Sequence, residues 1–119
     1  MPQVRSPLPD DAIVVRCGRP PFEGNPLFSA CDEHEGVYGF SVRCAVGLDV
    51  LELAKSCRNN WVGTTTVGQV RARGFDVVVT SGGRHHATVV VPCDWSAHQA
   101  EGLSQVFAPL RNPWARKGS

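Results

Sequence analysis

The chain has 119 residues, is 42% hydrophobic, and carries twelve basic against eleven acidic side chains for a formal net charge of +1. That size and apolar content suffice for one ordinary domain core without disulfide or metal staples, and so small a net charge leaves no whole-molecule field to draw it to nucleic acid or an anionic membrane. The charge is uneven, six basic against eight acidic residues in positions 1–60 and six against three in 61–119, so the second half is the better host for an anionic ligand.

Residues 1–11 hold three prolines and no periodic pattern, and they read as a flexible N-terminal arm ahead of a single domain over 12–110. The run AIVVRC (12–17) predicts a strand, and 18–36, with its prolines, glycines and acidic cluster, predicts a long functional loop. VYGFSVRCA (37–45) alternates, with Tyr38, Phe40, Val42 and Cys44 on one side and Ser41 and Arg43 on the other. In DVLELAKSC (49–57) the apolar residues recur at helical spacing behind an Asp49/Glu52 pair set as a capping box, which predicts a helix. WVGTT (61–65) predicts an edge strand. Thr66 and Gln69 open a short second helix that Gly74 stops. FDVVVT (75–80) and HHATVVVP (85–92) flank SGGR and predict a hairpin of β-branched strands. Ser96 and Gln99 open a third helix that Pro109 terminates, and 111–119 reads as an extended tail. The pattern is that of an α+β domain, a small mixed or antiparallel sheet with a C-terminal β-hairpin and two or three flanking helices.

The five cysteines are odd in number and lie mostly in apolar runs, so reduced buried thiols and a cytoplasmic location are expected. No stretch has the length of a signal peptide's apolar region or of a membrane span, and no membrane association is expected. A zinc site is suggested by Cys31 and His34 at C-x-x-H spacing, but the ligand set is incomplete and no metal is expected. Cys93, between the histidine strand and the last helix, is the one cysteine placed for nucleophilic chemistry.

Strand alternation over 85–92 directs His85, Ala87, Val89 and Val91 to one face and His86 and Thr88 to the other. An imidazole beside a hydroxyl can hold a phosphate or move a proton, which makes His86 and Thr88 candidate catalytic residues; the competing expectation is a rim histidine beside a hairpin turn. Arg16 and Arg43 each interrupt an apolar strand, and a guanidinium inside a sheet must find a carboxylate, a phosphate or carbonyls. Arg16, Ser41, Arg43 and His85 are therefore the candidate ligand contacts, with structural pairing to the acidic loop as the alternative for the arginines.

The succession VVRCG (14–18), GFSV (39–42) and HHATVV (85–90) resembles small bacterial ADP-ribosyltransferase-like effector and toxin domains, and also small bacterial proteins of unassigned role. The resemblance implies NAD as cofactor, with Arg16 on its phosphate or ribose and Ser41 supporting the nicotinamide pocket. No Glu occurs in 75–80 or 85–92, where that family places its catalytic glutamate. The expected function is binding of a nucleotide, NAD or RNA phosphate, with ribosyl or phosphoryl transfer, in one hollow shared by Arg16 and His86. The alternatives are an adaptor that engages a protein partner through an apolar face bearing Trp95 or Trp114, and a homodimer formed through an edge strand.

Overall fold

The computed structural model describes residues 7–22 and 26–115. Seven strands form one antiparallel sheet: β1 (Ile13–Cys17), β2 (Asp32–His34), β3 (Val37–Cys44), β4 (Trp61–Thr66), β5 (Asp76–Val79), β6 (His86–Val90) and β7 (Ala108–Arg111). The spatial order is β5-β6-β3-β1-β4-β7, with β2 paired to the start of β3. Three short helices complete the α+β architecture: α1 (Val50–Leu53, continued by a 3-10 turn over Ala54–Ser56), α2 (Val67–Ala72) and α3 (Ala97–Ser104).

All three helices start where the sequence places a cap. The side chains of Asp49, Thr66 and Ser96 accept from the backbone N–H of Glu52, Gln69 and Gln99, and Ser96–Gln99 closes a full capping box. The segment 61–65 is not an edge strand: β4 lies inside the sheet between β1 and β7. Two strands escape the sequence pattern. β2 is three exposed residues within the long acidic loop, and β7 carries Pro109 on a sheet edge, where a missing N–H is tolerated.

The two sheet faces are covered differently. On one, Val14, Phe40, Val42, Val77, Ala87 and Val89 meet α2, α3 and the ring of Trp95 in the main core. Trp95 is 4% exposed and stacks on Phe40, so it belongs to this core and not to an exposed docking face. On the other, α1 and its 3-10 turn cover only the β1–β4 half, through Val15, Leu53, Ala54, Cys57 and Val62.

The described residues of the expected arm and tail make anchoring contacts. Residues 1–6 lie outside the described residues, but Leu8 is buried, and the Asp10 carboxylate pairs with Arg71 at 2.6 Å. Beyond β7, buried Asn112 donates to the carbonyls of Cys57 and Asn59, and Trp114 Nε1 donates to the Leu51 carbonyl. The tail segment 116–119 lies outside the described residues.

The expectation of five reduced thiols is corrected as well. Cys17 and Cys57 form a disulfide that ties β1 to the 3-10 turn, while Cys31, Cys44 and Cys93 are free. No helix among the described residues is long and apolar enough to cross a membrane.

Candidate functional site

The sheet face that α1 leaves uncovered is polar. The β3–β6 register sets Ser41 opposite Thr88 and Arg43 opposite His86, and Thr80, the residue after β5, lies beside His86 through the bond from Thr80 N–H to the His86 carbonyl. Paired residues of an antiparallel sheet share a face, so these five side chains form one patch.

Within it runs a chain of hydrogen bonds. Ser41 Oγ lies 3.0 Å from His86 Nε2, His86 Nδ1 lies 2.8 Å from Thr80 Oγ1, and Thr80 Oγ1 lies 2.9 Å from Thr88 Oγ1. With the ring proton on Nδ1, the ring donates to Thr80 Oγ1. Nε2 is then an acceptor for the Ser41 hydroxyl, and Thr80 donates onward to Thr88. Burial lowers the His86 pKa from its ordinary 6.5, helped by the nearby charges of Arg43 and His34 and opposed by Thr80 and Glu35. The imidazole is thus neutral at pH 7, the form that can take a proton. His86 and Thr88 are 8% and 2% exposed, whereas Ser41 is exposed.

What covers His86 is a folded-back hairpin. His34 pairs with Val37, six residues along β3 from Arg43, which in a flat sheet would put it about 20 Å from His86. Instead the His34 and His86 rings are 5.6 Å apart, and His34 Nε2 donates to the Ser81 carbonyl at 2.5 Å. The β2–β3 hairpin therefore bends over the polar face and touches the β5–β6 turn with its tip. There Glu35 accepts from the Ser81 backbone N–H at 2.7 Å and from the Ser81 hydroxyl at 2.9 Å, bonds that hold its carboxyl below the usual range. Glu35 and Gly36 turn the tip with positive φ, 53° and 82°. Gly39, shared by the β2 and β6 pairings, sits at the crossover.

Arg43 stays with the site. Its Nε donates to Ser56 Oγ at 3.1 Å, which anchors the guanidinium stem beside His86. Arg16 does not. Its neighbour across the sheet is Gly63, which belongs to the main-core face, and its guanidinium lies 5.3 Å from the ring centroids of both Phe22 and Phe40. Arg16 and His86 are on opposite faces, so the shared hollow expected of them does not exist. Arg16 reaches the site through the backbone, donating from Nη1 to the Ser41 carbonyl at 2.9 Å. His85 is not a strand residue either. With φ 59° it is the last residue of the turn, and its carbonyl accepts from Cys44 N–H. The structure does not bring it into the hydrogen-bonded chain.

Thr88 is one step further from the imidazole than its spacing suggests, because Thr80 is the residue that orients the ring. Thr80 ends the expected strand 75–80, and a register drawn across the hairpin would have found it. The hairpin tip, His34 and Glu35 with their Ser81 partner, has no signal in the sequence, since only the bend brings it here. Cys31 and His34, the C-x-x-H pair, diverge. The Cys31 thiol donates to the Leu27 carbonyl on the core side, where burial raises its pKa against the opposing effects of Arg16 and Trp95. Among the described residues no three His, Cys, Asp or Glu side chains converge as a metal site requires.

A separate cavity of about 380 Å³ opens between α3 and the residues Pro21 and Pro26–Ser29. It is lined by Pro21, Pro26, Leu27, Phe28 and Ala100, with Glu101 as a charged wall. Its chemistry is apolar, and it lies on the core side of the sheet.

Comparison with protein-family models, with curated proteins and with solved structures finds no match for this chain.

Proposed function

We propose that the protein binds a phosphate-bearing ligand, a nucleotide or an RNA phosphate, on the polar face of β5, β6 and β3. The observation that carries this reading is the meeting of a cation, a neutral imidazole and an exposed hydroxyl on one surface. Arg43 stands directly across from His86, and Ser41 follows two residues along the same face. Arg43 would supply charge, while Ser41 and His86 supply hydrogen bonds and His86 a site for proton transfer.

The dinucleotide cradle implied by the ADP-ribosyltransferase-like resemblance loses its first-strand arginine, because Arg16 faces the core. A single phosphate group therefore fits this face better than NAD. A bacterial effector or toxin-type role would act through this surface. The Cys17–Cys57 disulfide favours an oxidising compartment over the cytoplasm.

Thermal denaturation in the presence of inorganic phosphate, nucleoside monophosphates, NAD and short RNA tests the reading. A ligand of the folded state alone, at a hundredfold excess over its Kd, stabilises by about 2.7 kcal/mol. Phosphate-bearing ligands should raise the melting temperature of the protein and not that of Arg43→Gln. No response across the panel, or an equal response in Arg43→Gln, sinks the proposal and leaves the adaptor as the better reading.

A further inference from the structure

We propose that Ser41 is a nucleophile, activated by His86, that accepts the phosphoryl group of a phosphate ester. The inference rests on the phosphate-binding reading for its substrate class and on separate geometry for its chemistry.

Three features distinguish Ser41 from an ordinary surface serine. Its Oγ is 3.0 Å from Nε2 of a histidine whose other nitrogen is held 2.8 Å from a third group, Thr80 Oγ1. Nucleophile, base and orienting group in hydrogen-bond reach form the arrangement that activates a hydroxyl. The base is also buttressed. Thr88 backs Thr80, and Gly82 packs against the ring, where a Cβ would lie in ordinary contact, 3.4 Å from three ring atoms. The nucleophile, in contrast, is exposed, so a substrate can reach the one group that must touch it.

Ser41 is positioned from behind as well. The β1–β3 ladder pairs only Val14 and Val15 with Cys44 and Arg43, and beyond it the Ser41 carbonyl takes its hydrogen bond from the Arg16 guanidinium. Arg16 is thereby a positioning residue acting through the sheet. Arg43, on the reacting side, lies where it can neutralise charge on a phosphoryl oxygen.

The step balances without a further reagent. Ser41 Oγ bonds to phosphorus as the bond from phosphorus to the ester oxygen breaks, and the Ser41 proton passes to His86 Nε2 and on to the departing alkoxide. Water then attacks the phosphoserine and gives a proton to His86, which passes it to the departing Ser41 oxygen, releasing inorganic phosphate and restoring the Ser41 hydroxyl and neutral His86.

The test uses a neutral alkyl fluorophosphonate on the full chain, read by intact mass and peptide mapping. Being uncharged, the probe does not need Arg43. Labelling that persists in Arg43→Gln while phosphate binding is lost therefore separates this proposal from the binding reading. One adduct is expected, on Ser41, absent from Ser41→Ala and formed at least about 100-fold more slowly in His86→Gln, the usual contribution of a general base. The rate in the unsubstituted protein should level above pH 6.5 and fall on acidification as His86 protonates. Arg43 from β3, His34 and Glu35 from the hairpin tip, and Thr80 just after β5 are the groups facing that titration. Should His86→Gln not fold, this profile and Thr80→Val, which frees the ring, carry the same question. No adduct, labelling scattered over other serines, or a rate indifferent to pH and to both substitutions overturns the proposal.

Discussion

Arg16 and His86 stand on opposite faces of one sheet and are joined through Ser41. The guanidinium donates to the Ser41 carbonyl from the core side at 2.9 Å, and the imidazole meets the Ser41 hydroxyl from the polar side at 3.0 Å. The arginine is 7% exposed, and burial lowers its pKa, so it is held by what surrounds it and is not available to a solvent ligand.

Arg16→Met follows from that placement. Methionine fills the space between Phe22 and Phe40, but the Ser41 carbonyl loses its donor and the rings lose their cation. Together these cost about 2 kcal/mol. Chemical denaturation should show this loss, and calorimetric titration of a phosphate ligand that binds the unsubstituted protein should show no loss of charge pairing at the site. A loss of affinity as large as that of Arg43→Gln would place Arg16 in the binding surface and refute the two-faced arrangement.

The disulfide makes a prediction that composition alone did not. Cys17 and Cys57 are 40 residues apart in sequence, and the cross-link closes β3 and α1 into one loop. Chain-entropy reasoning gives about 4 kcal/mol for a loop of that size. The double substitution Cys17→Ser, Cys57→Ser, or reduction with a dithiol, should lower the denaturation midpoint accordingly. Equal midpoints with and without reductant would show that the bond contributes nothing.

Period and caps were legible in the sequence because they are local. The strands β1, β3, β5 and β6, the three helix starts and the side chosen by His86 and Thr88 all follow from alternation and capping chemistry. What was not legible is long-range. The order of strands decides that Arg16 and His86 diverge, since each was correctly placed on its own strand and only the pairing of β1 with β3 relates their faces. The bend of the β2–β3 hairpin brings His34 and Glu35 to Ser81, residues 47 and 46 positions away, and no periodicity encodes such a contact. Cys17 and Cys57 meet for the same reason. Each sits in an apolar setting that reads equally well as a buried thiol.

Stability should fall on acidification in two windows. The folded His86 pKa is lowered below 6.5, so the unfolded chain binds the proton more tightly. The contribution is complete above 6.5 and is lost as pH falls through the depressed folded value. The folded Glu35 pKa is likewise lowered, below 4.5, by its bonds to Ser81, and the hairpin clasp that depends on it weakens as pH falls through that value. Urea denaturation across this range should show a slope in the upper window that His86→Gln removes. It should show a slope in the lower one that Glu35→Gln reduces. A profile flat below 6.5 would contradict the buried neutral imidazole.

Gly39→Ala tests the crossover from which the hairpin folds back over His86. An added Cβ would lie 1.8 Å from the Val89 carbonyl oxygen, 2.8 Å from its carbon and 3.0 Å from Thr88 Cγ2. The first two are backbone atoms of the partner strand, so no rotamer change relieves the overlap, and β3 must separate from β6. The expected loss exceeds about 4 kcal/mol, at the far end of what single substitutions cost. Gly36→Ala at the hairpin tip is the control. There the Cβ would meet nothing within 4 Å, and only the positive φ of 82° opposes it, a cost of about 1–2 kcal/mol. Hydrogen exchange would separate the two effects. Gly39→Ala should abolish amide protection along β6, which carries His86, while Gly36→Ala should leave β6 protected. Protection of β6 in both variants would mean that the strands tolerate a methyl group at the crossover, and that the hairpin's path over the polar face does not depend on Gly39.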